Sequence, residues 1–104
     1  MITGKNYIGN VLSSLGNITY KTFNPQTNLE NEIIYTEAST IEIQAAVELA
    51  TEAFKTFKTV SGDKKSDFLN EIANEIEALG DELIKMYCSE SGLPEGRAIG
   101  ERGR

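Results

Sequence analysis

The sequence predicts an α+β chain: short antiparallel β-strands over residues 1–38, then three to four amphipathic helices over residues 39–104. Three observations predict it. Asn, Gly, Ser, Thr and Pro break the first forty residues into short β-prone runs. Residues 39–58 then repeat apolar side chains at three- and four-residue spacing behind a capping signal. Further apolar stripes follow, punctuated by Gly80 and Gly92.

The expected strands are Tyr7 to Leu12, Ile18 to Phe23 and Ile33 to Thr36. Ser13-Ser14-Leu15-Gly16-Asn17 is the expected hairpin connection, with Gly16 and Asn17 able to take positive φ. Asn24-Pro25-Gln26-Thr27-Asn28 is a second turn, because Pro25 fixes its own φ and disfavours helix at the residue before it. Two or three short strands are marginal alone, so this piece needs something to pack on.

In the first helix, Ser39 and Glu42 form the capping box, with Thr40 as an alternative cap. Ile43, Ala46, Val47, Ala50, Ala53, Phe54 and Phe57 share one face, and Glu42, Glu48, Glu52 and Lys55 take the other. A second helix starts at Ser61-Gly62-Asp63, capped by Ser61 or Asp63, with Phe68, Leu69, Ile72, Ala73, Ile76 and Leu79 as its stripe. After a break at Gly80-Asp81, a third carries Leu83, Ile84, Tyr87 and Cys88 on one face. Gly92 stops it, and Pro94 suits the first turn of a fourth. That last segment holds Gly96, Gly100 and Gly103, each costing about 1 kcal/mol against Ala in a helix interior, so it is expected to need support beyond Arg104.

Composition narrows the function. At 104 residues the chain has room for one domain, with a core of modest size. Its net charge of −6 opposes general nucleic-acid binding, which draws affinity from positive charge. With no His, Ser-His and Cys-His catalytic pairs and most zinc sites are excluded. A single cysteine cannot close an intramolecular disulfide, no apolar run approaches the roughly 20 residues that span a bilayer, and no secretion signal opens the chain. A cytoplasmic protein without a membrane partner is expected.

The candidate chemistry is thin. Cys88 falls late in a helix beside Glu90, away from the cations and helix N-termini that activate thiols, and reads as structural. Gly92, Gly96, Gly100 and Gly103 follow a helix rather than a strand and lack both the G-x-G-x-x-G and the Gly-Lys-Ser/Thr patterns, so close packing or a turn explains them better. Asp67, Glu71 and Glu75 read as a solvated flank, because no calcium-loop grammar accompanies them. The sequon Asn17-Ile18-Thr19 has meaning only in a secreted protein. Arg97, Arg102 and Arg104 form the one basic cluster; they either fork onto an anion or pair with Glu95 and Glu101. No catalytic, cofactor-binding or metal-binding residue follows from spacing alone.

The order of these pieces is familiar. Phe23-Asn24-Pro25-Gln26-Thr27 with the strand after it resembles the Asn-Pro-Ala-Thr-Gly segment near the start of aldehyde dehydrogenases. The stretch Ile41–Lys58 is similar to that family's first helix, and Lys65-Ser66-Asp67-Phe68-Leu69-Asn70-Glu71-Ile72-Ala73 to its second. Asp81-Glu82-Leu83-Ile84 and Glu90-Ser91-Gly92-Leu93-Pro94 resemble its "Asp-Glu-Leu" and "Glu-Thr-Gly-Lys-Pro" landmarks. The likeness runs from about Lys5 to Arg104, and Gly100-Glu101-Arg102-Gly103-Arg104 resembles the branch that oxidises 2-oxoglutarate semialdehyde (2,5-dioxopentanoate).

The resemblance implies that this is an N-terminal scaffold piece of the α/β aldehyde dehydrogenase fold. The parent would be an oxidoreductase that converts an aldehyde to the carboxylate with NAD or NADP. The family's nucleophile, general base, oxyanion donor and nucleotide loop lie downstream of the matched stretch, and Cys88 lacks the Gly-Gln-x-Cys setting. The expected partners are the remainder of the parent and, for a severed piece, other copies through exposed helix faces. Arg104 is the one nominated contact, to the distal carboxylate of an acidic semialdehyde. Two alternatives stand beside this reading: an autonomous small helical interaction domain, and a regulatory partner of a full-length dehydrogenase.

Overall fold

The computed structural model describes residues 2–104. Its elements are β1 (Asn6–Ile8), β2 (Val11–Ser13), β3 (Thr19–Asn24), β4 (Leu29–Thr36), α1 (Thr40–Phe57), α2 (Gly62–Ala78), α3 (Gly80–Ser91) and α4 (Glu95–Arg102). They are grouped in two compact units. One runs up to Thr22 and resumes over Glu32–Val60; the other joins Phe23–Asn31 to Ser61–Arg104.

In the first unit, β1 and β2 pair antiparallel, with Ile8 opposite Val11. The expected single strand Tyr7 to Leu12 is therefore a hairpin. Gly9-Asn10 turns it, with Gly9 at φ 61°, as a two-residue loop with glycine first requires. The expected connection Ser13–Asn17 instead joins β2 to β3, which lie in different sheets. Gly16 and Asn17 take no positive φ. Gly16 is needed for closeness instead: a Cβ there would sit 1.9 Å from the Glu37 carbonyl oxygen. Gly4 needs both, with φ 66° and an added Cβ 2.0 Å from the Ile34 oxygen. Around these approaches the backbone closes, Thr36 N–H donating to Gly4 O at 3.0 Å and Glu37 N–H to Ile18 O at 2.9 Å. The Tyr20 and Tyr35 rings stack with centroids 5.6 Å apart.

Strands β3 and β4 form the second hairpin, and β4 starts four residues before the expected Ile33. The Asn24 turn behaves as its residues dictate. Asn24 Oδ1 accepts from the N–H of Gln26 (2.9 Å), Asn28 N–H donates to Asn24 O (3.0 Å), and Asn28 takes φ 59°.

The helices match their predicted spans closely. Ser39 and Ser61 cap α1 and α2, and Gly80 (φ 55°) separates α2 from α3. Gly92 ends α3 in the left-handed conformation, and Pro94 sits one place earlier than expected, as the N-cap of α4. Against expectation, α4 is formed within the chain. Ala98 is buried on it, and Arg97 and Glu101 pair across one turn at 2.7 Å.

The stripes of α1 and α2 are well formed, yet they are not covered. Phe54 is 62% exposed and Leu69 64%. Among the described residues, the buried hydrophobic side chains are Ile84 and Ala98. The surface totals 8140 Å². A self-contained globule of this mass exposes about 5,800 Å², and two separate globules of half the mass about 7,000 Å² together. The apolar stripes of α1 and α2 are each largely exposed.

Candidate functional site

An open cleft of about 420 Å³ lies beside α3 in the second unit. Helix α3 turns Ile84, Cys88 and Asp81 onto it, and the cap at Gly92 brings Leu93, Pro94 and Glu95 to its edge. The Asn24 turn closes the other side. Gln26 Nε2 donates to Gly92 O at 2.7 Å, and Asn31 Nδ2 donates to Ser89 O at 3.2 Å. Gly92 is doubly constrained, since its φ is 69° and an added Cβ would press Pro25 at 3.3 Å.

Cys88 is half-buried on this cleft, one helical turn from Lys85. The Ser89 hydroxyl is engaged with Met86 O at 2.9 Å. The cleft therefore offers a thiol, a cation and two carboxylates without a base oriented onto a nucleophile.

The arginine cluster is not gathered into one site. Arg97 and Arg104 share Glu101, at 2.7 and 3.5 Å, while Arg102 reaches Glu77 on α2 at 3.6 Å. Glu101 is the expected partner and Glu77 an unexpected one. Arg104 is 74% exposed, so its guanidinium is accessible.

The strongest electrostatic feature lies at the start of α1, and it corrects the sequence reading. Glu42 was expected on the solvent side with Glu48 and Glu52, but it is only 2% exposed. Its Oε2 accepts from Ser39 N–H (2.8 Å) and from the Ser39 hydroxyl (2.9 Å), completing the capping box. Its Oε1 accepts from Leu15 N–H at 3.1 Å, across 27 residues of sequence. The Ser13 hydroxyl, then these backbone and hydroxyl donors, hold its pKa down from 4.5 to about 2 against the opposing effect of burial. Helical periodicity alone could not show this, because the burying residues come from the β2–β3 link.

Comparison with known proteins places the whole assembly. The model of the aldehyde dehydrogenase family matches residues 13–104. The chain belongs to the aldehyde dehydrogenase family. Alpha-ketoglutaric semialdehyde dehydrogenase 2 of Azospirillum brasilense is 37% identical over 99% of this chain and 20% of its own length. The alpha-ketoglutaric semialdehyde dehydrogenase of Acinetobacter baylyi is 31% identical over 97% of the chain and 19% of its own. Succinate-semialdehyde dehydrogenase [NADP(+)] 2 of Schizosaccharomyces pombe is 36% identical over 86% and 18%. No solved structure matches the chain significantly. The chain thus spans about one fifth of the length of the curated relatives it matches.

The strand pairs and four helices are an α+β fragment of the aldehyde dehydrogenase fold. One of these relatives is named for NADP(+), and the glycines of α4 can be tested as a dinucleotide cradle. A dinucleotide needs glycines that let backbone approach its phosphates after a strand. Here α4 follows a helix, and a Cβ at Gly96 or Gly100 would meet nothing within 4 Å, so neither forms a cradle. No helix among the described residues is long and apolar enough to cross a membrane.

Proposed function

We propose that this chain is the N-terminal scaffold of an NAD(P)-dependent aldehyde dehydrogenase that oxidises 2-oxoglutarate semialdehyde, and that the chain alone is inactive. One observation carries the reading: two relatives named for that semialdehyde align with almost all of this chain, yet it spans only a fifth of each. The uncovered faces of α1 and α2 support a scaffold role, because each is patterned for a covering surface. The partner is the remainder of the parent polypeptide. In isolation these faces bind apolar dye or other copies of the chain.

The direct test is nicotinamide reduction by the purified chain with 2-oxoglutarate semialdehyde and NAD or NADP. No turnover is expected; turnover lost in Cys88→Ala would overturn the reading. Within the parent, we assign Arg104 to the distal carboxylate of the substrate, through a charge-assisted pair in competition with Glu101. Arg104→Ala is expected to raise KM for the carboxylated aldehyde and not for a neutral one of similar length. An equal effect on both would remove the assignment.

A further inference from the structure

The exposed stripe of α1 is narrow and uncharged. Ile43, Val47, Ala50 and Phe54 recur at four-, three- and four-residue spacing, within a sector of about 60° on the helix. Ile43, Val47 and Phe54 are 55%, 59% and 62% exposed, and Ala50 is exposed as well. One border of the stripe is Ala46 and Ala53, on the side where Leu49 approaches the hairpin turn at Gly9. The other border is Gln44 and Thr51. Glu48, Glu52 and Lys55 stand more than about 100° from its centre. Gln44 donates to Glu48 at 3.1 Å, and Lys55 pairs with Glu52. Lys58, the C-cap, lies over the Phe54 ring at 5.7 Å and edges the stripe. With Glu42 buried, the exposed charges of α1 and its C-cap balance, Glu48 and Glu52 against Lys55 and Lys58. Helix α2 differs, because Asp63, Asp67, Glu71, Glu75 and Glu77 outnumber Lys64 and Lys65.

We propose that the occupant of the α1 stripe is a second copy of this chain, paired antiparallel about a two-fold axis beside Ala50. A two-fold interface sets a surface against itself, so it disfavours a face on which like charges would meet. The α1 stripe meets that condition, and the acidic excess of α2 does not. Ala50 at the crossing lets the two axes approach to about 8 Å, the close end of the range for packed helices. The repeat then sets Val47 of each copy against Phe54 of the other, and Lys58 beside Ile43. The exposed area fits one such contact. At 8140 Å² it exceeds that of two separate globules of half the mass by about 1,100 Å², enough for one standard interface of about 800 Å² per partner and not for two. The assignment rests on the scaffold reading in one respect: the remainder of a parent would compete for the same stripe, so the dimer belongs to the chain without it.

The test is sedimentation equilibrium of the full chain over a concentration series rising to about 1 mM. A single step from 11.4 kDa to twice that mass is expected. Val47→Glu sets an unpaired charge on the other copy's Phe54 and should weaken the dimer at least about tenfold. Phe54→Lys should do the same. An equimolar mixture of the two variants should regain a dimer, because antiparallel pairing sets the introduced carboxylate against the introduced ammonium and keeps one Val47–Phe54 contact. Leu69→Glu, the same charge added on α2, should leave the wild-type affinity. All three side chains are exposed, so far-UV circular dichroism should show each variant as helical as the wild type. A monomer at every concentration, association that continues past the dimer, a dimer indifferent to Val47→Glu or equally sensitive to Leu69→Glu, or a mixture that stays monomeric would overturn the proposal. A monomeric chain without aldehyde turnover removes the dimer and leaves the scaffold reading; turnover by a dimeric chain does the reverse.

Discussion

The start of α1 and the pairing of α3 with α4 are both buried, but by opposite means. Glu42 is held by charge-assisted hydrogen bonds from Ser13, Leu15 and Ser39, with a backbone link pinned across 27 residues. The α3–α4 seam buries Ile84 and Ala98 and needs no charge at its centre. A polar knot demands particular donors at particular places, so it specifies one arrangement of a loop on a helix. An apolar seam tolerates more variation and is indifferent to pH. Neither is large. Together they fix local geometry at two places, while the broad apolar stripes of α1 and α2 stay largely exposed.

The largest effect is expected where backbone meets backbone. Gly16→Ala puts a methyl group 1.9 Å from the Glu37 oxygen, which cannot yield as a flexible side chain would. A loss of more than about 2 kcal/mol in local opening free energy should follow, seen as lost exchange protection at the Glu37 amide. Protection at wild-type levels would mean the link is held less closely than the structure shows.

Ile84→Ala comes next. Removing the buried branch should cost about 2–3 kcal/mol, read as loss of helical NMR shifts in α3 and α4 and not in α1. Spread of the loss to α1 would break the distinction between the two regions.

Acid separates them more gently. Because the folded pKa of Glu42 lies near 2 and its ordinary value is 4.5, its contribution is complete above about pH 4.5 and is lost as pH falls towards 2. The Leu15 and Ser39 amides should lose exchange protection over that window, and Glu42→Gln should remove most of the pH dependence. The α3–α4 amides should hold through the same window. An acid response identical in both regions would contradict the contrast.

Much of the fold was legible in the sequence, and the failures have physical causes. The caps at Ser39 and Ser61 and the stop at Gly92 were legible because each depends on residues within one turn. The Gly9-Asn10 turn was equally local; the apolar run from Tyr7 to Leu12 masked a dipeptide suited to a two-residue hairpin. Glu42 was misplaced for the opposite reason. Its burial comes from Ser13 and Leu15, and no pattern within α1 encodes them. The arginine partners divide the same way: Glu101 is a helical neighbour of Arg97 and Arg104, whereas Glu77 is tertiary.

The central claim is that these faces are made for the rest of a dehydrogenase. The measurement that tests it most directly is the intact mass of the native product carrying this sequence, taken from its source cells. A product about five times 11.4 kDa, in line with a chain that spans a fifth of its relatives, is the predicted result. A stable native product of 11.4 kDa that folds cooperatively as a monomer and binds no apolar dye would contradict it.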